Sequence, residues 1–340
     1  MARTLIIRFG ALGDLCICGW FMAGLADAAP GTRTTLVTKA RFAALAEAFA
    51  GVDRVAPLRG RGPAGLLALS RALKRDRHDT VLDAHGVLRS HLLALFMGRR
   101  PDARIRKDTV ERLRLLRRPT PSPDIPPPAL DRHLLDRFVA LAGPVTDTVV
   151  KPRPPLAHLR PAGPPAPRVG LAPGARWETK RWPNDRFARL LDLLREAAGV
   201  PVTLFLGPQE TSWYRGSRLA EAVAHRDDVD VVRDRGLLDV ADALARCSVV
   251  VTNDSGLLHL SEAVGTPVVA IFGPTVRAFG YFPLSPRSRV LETDLDCRPC
   301  SRTGSRACHR NDLACLTQIG AEAACDAVLD LVGPGAGGGT

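Results

Sequence analysis

Short apolar, β-branched runs alternate with longer segments of helical periodicity along most of the chain. Thr4–Phe9 (TLIIRF) reads as a buried strand, Gly10–Asp14 (GALGD) as a turn, and Leu15–Ala28 as a helix closed by Pro30-Gly31. The alternation repeats with Thr34–Thr38 before a helix over Arg41–Ala50, Arg54–Pro57 before one over Ala64–Arg75, and Thr80–His85 before one over Leu88–Met97. Beyond Arg99 the pattern weakens through a basic segment, Arg104–Arg118, and a proline-rich loop, Pro119–Pro128, before a helix over Arg132–Ala142. Seven prolines between Pro152 and Pro167 mark a linker.

A second series follows. Arg168–Pro173 is a strand, Pro183–Ala197 a helix with proline at its start, Val202–Gly207 a strand, Ser212–Ala224 a helix, Val229–Val232 a strand and Leu238–Arg246 a helix. It ends in a complete βαβ unit: strand Val249–Val251, polar turn Thr252–Gly256, helix Leu257–Val264, and strand Val268–Ile271. Continuous apolar strands suit parallel sheets covered on both faces, so the pattern predicts an α/β protein with two Rossmann-like, doubly wound domains. The expected boundaries are an N-terminal domain over 1–151, the linker over 152–167, a C-terminal domain over 168–332, and a glycine-rich tail over 333–340. The two halves are expected to face a cleft.

Composition narrows the class. At 340 residues and 46% apolar, the chain can build two cores. The formal charge is +12, and only five of the 47 basic residues are lysines. Such a surplus favours phosphate-rich partners, although an arginine-rich surface merely solvated by water accounts for it equally well. No run of eighteen apolar residues predicts a membrane span. Arg3 and Arg8 before apolar Leu15–Ala26 have the look of a leader, but the Thr4–Phe9 strand and Asp14 argue against one, and the expected compartment is the cytoplasm.

Three segments carry candidate chemistry. In RFGALGD the glycines, Gly13 among them, permit close backbone approach to a ligand, and Asp14 either caps the following helix or accepts a proton from a substrate hydroxyl. The turn lacks one glycine of the dinucleotide fingerprint, and no acidic residue ends the second strand, which disfavours NAD. In GARWETKRWPNDRF, Lys180 and Arg181 stand just before a helix N-terminus, a combination suited to a pyrophosphate; Trp177 and Trp182 read as packing residues. In NDSGLLH, Asp254 suits sugar hydroxyls, the N–H groups around Ser255 and Gly256 suit an anion, and His259 has a supporting role one helical turn beyond Ser255. Glu210 is the candidate for ribose hydroxyls. Cys297, Cys300, Cys308 and Cys315 have a spacing that resembles a structural zinc site, with an iron–sulfur cluster or free thiols as alternatives. Cys16, Cys18, Cys247 and Cys325 read as small core residues.

RFGALGD, the KRWP stretch and NDSGLLHLSEAVGTPVVAIFGPT together resemble the ADP-heptose:lipopolysaccharide heptosyltransferases, glycosyltransferase family nine; VLDAHGVLRS (Val81–Ser90) adds to the match. The resemblance implies a GT-B fold and an inverting, metal-independent transfer of heptose or a related sugar from a nucleotide-diphosphate donor, foremost ADP-heptose, to a lipopolysaccharide-core or other glycan acceptor. It implies Asp14 as general base, Lys180 at the phosphates, and Asp254 to Gly256 at the donor sugar and diphosphate. No cofactor is implied for catalysis. Ala175 and Arg176 depart from the family pattern, standing where hydroxyl residues are expected. The rival readings are a nucleotide-sugar 2-epimerase and a non-catalytic protein holding anionic ligands. The charge is compatible with peripheral contact with an anionic inner-membrane surface, and no nucleic-acid motif is recognised.

Overall fold

The structure is a computed structural model that describes residues 1–60, 62–116, 132–163 and 167–332. The proline-rich stretch 119–128 and the tail 333–340 of the sequence reading lie outside the described residues, as do 164–166 of the linker. The chain divides into two compact units. The first holds Met1–Asp108 and Arg132–Leu156; the second holds the helix Thr109–Leu115 and the chain from Ala157 onward.

The first unit runs β1 (Ala2–Ile7), α1 (Leu12–Ala28), β2 (Thr32–Lys39), α2 (Ala43–Glu47), β3 (Arg54–Leu58), α3 (Pro63–Asp76), β4 (Thr80–Asp83), α4 (Leu88–Met97) and β5 (Ala103–Arg104). After α5 (Thr109–Leu115), it closes with α6 (Leu134–Val139). Its sheet is wholly parallel in the order β3-β2-β1-β4-β5. Leu5 and Ile7 of β1, Val37 of β2 and Val81 of β4 share one core with Leu66, Leu69 and Leu73, which recur at helical spacing on α3.

The second unit runs β6 (Val169–Ala172), α7 (Asn184–Ala198), β7 (Val202–Leu206), α8 (Thr211–Tyr214), α9 (Arg218–Ala224), β8 (Val229–Arg233), α10 (Leu237–Ala245) and β9 (Val249–Asn253). It continues through α11 (Gly256–Ala263), β10 (Val268–Phe272), β11 (Arg289–Glu292), α12 (Ala314–Thr317) and α13 (Ala321–Val332). Its six strands are again parallel, in the order β11-β10-β9-β6-β7-β8. Every residue of β9 and β10 is buried, as expected for strands covered on both faces. On α7, Phe187, Leu190, Leu191 and Leu194 form the buried stripe.

The structure adds β5, β11, α12 and α13 to the elements read from the sequence and differs from that reading elsewhere too. The first helix begins at Leu12, not Leu15, so Asp14 lies inside its first turn. The helix expected over Arg41–Ala50 is a short 3-10 turn, Ala40–Phe42, followed by α2. The helix expected over Ser212–Ala224 is broken, because Gly216 adopts φ +74° and Ser217 caps a new start by accepting from the Ala220 N–H (3.2 Å). Finally, α5 groups with the second unit rather than with the N-terminal series: Leu115 is buried against Phe279, and Arg112 Nη2 donates to the Phe279 carbonyl (3.0 Å).

Glu262 on α11 is 1% exposed. Its carboxylate accepts from the backbone N–H groups of Leu284 (2.9 Å) and Ser285 (2.8 Å) and from the Ser288 hydroxyl (3.1 Å), tying down the loop before β11. Burial nevertheless pushes its pKa up to about 7 against those bonds. Between the ordinary carboxylate range and pH 7 the folded protein therefore holds a proton that the unfolded chain releases, so this group's contribution to stability falls as pH rises through that window. Thermal midpoints of the wild type and Glu262→Gln, compared between pH 5 and 7.5, are expected to show this slope in the wild type alone; parallel curves would refute it.

Candidate active site

In the first unit, strand order reverses between β1 and β4, whose carboxyl ends lie side by side. Open parallel sheets bind ligands at such a reversal. After β1 the backbone turns at Gly10 (φ +130°), where a Cβ would stand 2.7 Å from the Phe42 ring. That permits the turn into α1, where Gly13 is buried in the first turn. Asp14, 19% exposed, folds back: its Oδ2 accepts from the Ala11 N–H (3.1 Å) and from Arg8 Nη2 (2.9 Å). It thus satisfies one of the donors left open at the helix start. Both contacts fall on Oδ2, and neither involves Oδ1.

Three further residues, which the sequence reading did not assign to the site, stand at this end of the sheet. Arg8 also donates to the Ala84 carbonyl (2.7 Å) and lies over the Phe138 ring. His85, just after β4, accepts the Phe9 N–H on Nδ1 (3.0 Å), which places its ring proton on Nε2. Burial, and then the charges of Arg8 and Lys107, push its pKa down to about 4, so it is a neutral donor at physiological pH. Asp83, fully buried at the end of β4, holds this turn by accepting from the N–H groups of His85 and Gly86, from Ser90 Oγ and from Arg104 Nε. The DAHG spacing after a strand is the signal that marks it in the sequence.

The second sheet reverses between β6 and β9. Lys180 comes from the loop after β6 and Asp254 from the turn after β9, and they meet: Lys180 Nζ donates to Asp254 Oδ2 at 2.5 Å, with the side chains 13% and 10% exposed. Asn253 joins the two loops. Its amide donates to the Pro173 carbonyl (2.7 Å) and accepts the Trp182 N–H (3.0 Å). Trp182 itself is a packing residue, 1% exposed, edge-on to Phe187 and donating to the Ile319 carbonyl. Ser255 caps α11 by accepting the Leu257 N–H (3.3 Å), so Gly256 opens a helix whose first N–H groups lack intrahelical partners. His259, 5% exposed, lies one turn on, 6.4 Å from the Tyr281 ring.

Arg181 donates to the Ala175 carbonyl (2.9 Å) and lies over the Trp213 ring. Glu210 follows β7 and rests against two glycines: a Cβ on Gly174 or on Gly207 would fall 2.4 Å from one of its carboxylate oxygens. Glu210 therefore stands beside the loop that carries Lys180. Asp14 and Gly13 belong to the first unit, and all the other candidate donor-binding residues to the second.

The cysteines divide sharply. Cys16, Cys18, Cys247 and Cys325 are buried packing residues. Cys297, Cys300 and Cys308 are half-buried, and Cys315 is buried at the start of α12. Burial first and neighbouring thiols second push Cys300 upward and Cys315 up to about 11. Among the described residues, however, no three His, Cys, Asp or Glu side chains are grouped so as to hold a metal ion.

Comparisons with known proteins place the chain by family and by fold. The family model described as glycosyltransferase family 9 (heptosyltransferase) matches residues 66–309. Lipopolysaccharide heptosyltransferase 1 of Pseudomonas aeruginosa is 28% identical over 317 residues, covering 88% of this chain and 86% of that protein. Among solved structures, the family 9 glycosyltransferase of Veillonella parvula DSM 2008 superposes with a TM-score of 0.75 at 21% identity, covering 97% of each chain. The E. coli heptosyltransferase WaaC with ADP superposes with a TM-score of 0.67 at 22% identity, covering 96% and 97%. Two Rossmann-like units of this kind, with these structural neighbours, make the fold GT-B type. The chain belongs to glycosyltransferase family 9, the heptosyltransferases.

Arg8→Met keeps the chain length but strips the guanidinium from Asp14 and from the Ala84 carbonyl. It is expected to cost about 1–3 kcal/mol of stability by denaturant unfolding. Wild-type stability in this variant would show that the Arg8–Asp14 contact contributes nothing to the fold.

Proposed function

We propose that the protein transfers heptose from ADP-heptose to a lipopolysaccharide-core acceptor with inversion at the anomeric carbon. The observation that carries this reading is the Lys180–Asp254 pair, set at the strand reversal of the second unit beside the Ser255-capped helix. Asp14 Oδ1 takes the proton of an acceptor hydroxyl, whose oxygen attacks the anomeric carbon. The bond from that carbon to the diphosphate breaks, its electron pair passing to the departing ADP oxygen. Lys180, Arg181 and the N–H groups at Gly256 meet the charge that develops there, Asp254 orients the donor sugar, and Glu210 binds the ribose hydroxyls. Gly13 and His259 support the two ends. Protein cations and helix N–H groups supply the neutralisation, so no cofactor enters the transfer.

Support comes from the family membership, which disfavours the epimerase and binding-protein readings, and from relatives named for the same reaction: the Pseudomonas protein as a lipopolysaccharide heptosyltransferase, and WaaC as a heptosyltransferase solved with ADP. Among the described residues no helix is long and apolar enough to cross a membrane. With a lipid-borne acceptor and a charge of +12, we place the enzyme in the cytoplasm, in peripheral contact with an anionic membrane face. A structural zinc at Cys297, Cys300, Cys308 and Cys315, or less favourably an iron–sulfur cluster, rests on spacing alone. Metal analysis of the purified protein decides it: one zinc per chain supports the site, and metal-free protein with eight titratable thiols removes it.

Asp14→Asn is expected to lower kcat by about 10²–10⁴-fold while leaving ADP affinity nearly unchanged. Equal losses of turnover and affinity would reduce Asp14 to its capping role. Lys180→Ala is expected to raise the Kd for ADP about tenfold or more by calorimetric titration, and an unaltered Kd would contradict the phosphate assignment.

A further inference from the structure

The Lys180–Asp254 pair is backed by Thr275, at the end of the NDSG…GPT stretch, and by a later segment around Arg298 and Gly304 that lies outside the motifs of the donor site. Besides Lys180, Asp254 Oδ2 accepts from the Thr275 hydroxyl at 2.6 Å. Thr275 follows β10 and is 4% exposed. Its carbonyl accepts from Arg298 Nη2 (2.9 Å), while Arg298 Nε donates to the Gly273 carbonyl (2.6 Å), Nη1 to the Thr293 carbonyl (2.5 Å), and Nη2 also to Glu292 Oε2 (2.6 Å). The Arg298 side chain is 6% exposed. A rigid, planar guanidinium fork with four acceptors fixes the backbone it touches in a way that a lysine cannot.

The same segment reaches the other end of the pair. Gly304 adopts φ +84°, and a Cβ there would lie 2.8 Å from Lys180 Cγ. The Gly304 carbonyl accepts from the Thr179 hydroxyl, and its N–H donates to Ser301 Oγ (2.9 Å). Arg298 sits between Cys297 and Cys300, so the cysteine-bearing loop grips Asp254 through Arg298 and Thr275, and Lys180 through Gly304 and Thr179.

We infer that Arg298 is a positioning residue of the donor site, fixing Gly273–Thr275 so that the Thr275 hydroxyl aims the Asp254 carboxylate at Lys180. The inference rests on the donor-site reading above. Its consequence is selective: loss of Arg298 loosens the donor while the acceptor is held as before.

Steady-state kinetics and ADP titration of the full chain test this with the wild type, Arg298→Lys, Thr275→Val and Thr275→Ser. Arg298→Lys and Thr275→Val are each expected to raise the donor KM and the ADP Kd about tenfold, with the acceptor KM within about twofold of wild type. Thr275→Ser, which keeps the hydroxyl, is expected to restore donor affinity. Because both changes break one chain of contacts, the Arg298→Lys/Thr275→Val double variant is expected to cost little more than either single one. A merely structural Arg298 would lower the fraction of active enzyme and leave the donor KM of the remainder unchanged, and that result overturns the inference, as does full additivity in the double variant. Should Arg298→Lys fail to fold, the Thr275→Val and Thr275→Ser pair decides by the same readout: equal donor KM in both overturns it. A wild type that binds neither ADP nor ADP-heptose brings down the donor-site reading itself, and the inference with it. Normal wild-type binding with unaffected variants removes only the role of Arg298.

Discussion

A partly buried cation and carboxylate, Lys180 and Asp254, stand in contact at the one place in the second sheet where strand order turns back on itself. Such a pair loses hydration on both sides, and its mutual attraction offsets that loss only when further hydrogen bonds satisfy the remaining valences. The surrounding structure supplies them. Thr275 gives Asp254 a second donor, Asn253 locks the two loops together, and Arg298 fixes the backbone behind Thr275. A carboxylate held this way keeps a lysine close to the start of α11, where helix N–H groups already favour an anion. The pair therefore fixes a cation beside the start of a helix, the arrangement on which the proposed diphosphate site rests.

The first unit applies the same topological rule with different chemistry. At its reversal, between β1 and β4, stand a carboxylate and a neutral imidazole. Asp14 has one oxygen committed to Arg8 and the helix start, and His85 is held as a neutral Nε2 donor by the Phe9 N–H. A base and a neutral donor suit a hydroxyl substrate, whereas a cation and open N–H groups suit a leaving anion. On the proposed reading, the first unit supplies the proton acceptor and the second the groups that meet the leaving charge.

Much of this was legible in the residue order. Runs such as VVV and VVAI read as strands buried on both faces, and NDSG as the turn between such a strand and a helix, because both signals are local. The cation pair Lys180-Arg181 before a helix was equally local. Arg298 was not: its acceptors Gly273 and Thr275 lie more than twenty residues away, and nothing in CRPC indicates that they will meet. The many arginines show the same limit. Composition describes a basic surface, yet Arg8, Arg226 and Arg298 are nearly buried in ion pairs with Asp14, with Asp192 and Asp228, and with Glu292.

By itself the sequence determined the alternation of strand and helix, the parallel sheets that follow from it, and the residue types able to hold a diphosphate. Those are consequences of hydrophobic period and of chemistry within a few residues. Only the tertiary structure decided the order of the strands, and with it which loop ends become neighbours, because strand order is set by packing between segments far apart in the chain. The contact of Lys180 with Asp254, the grip of Arg298 on Thr275 and the seating of Glu210 on Gly174 and Gly207 all depend on that order.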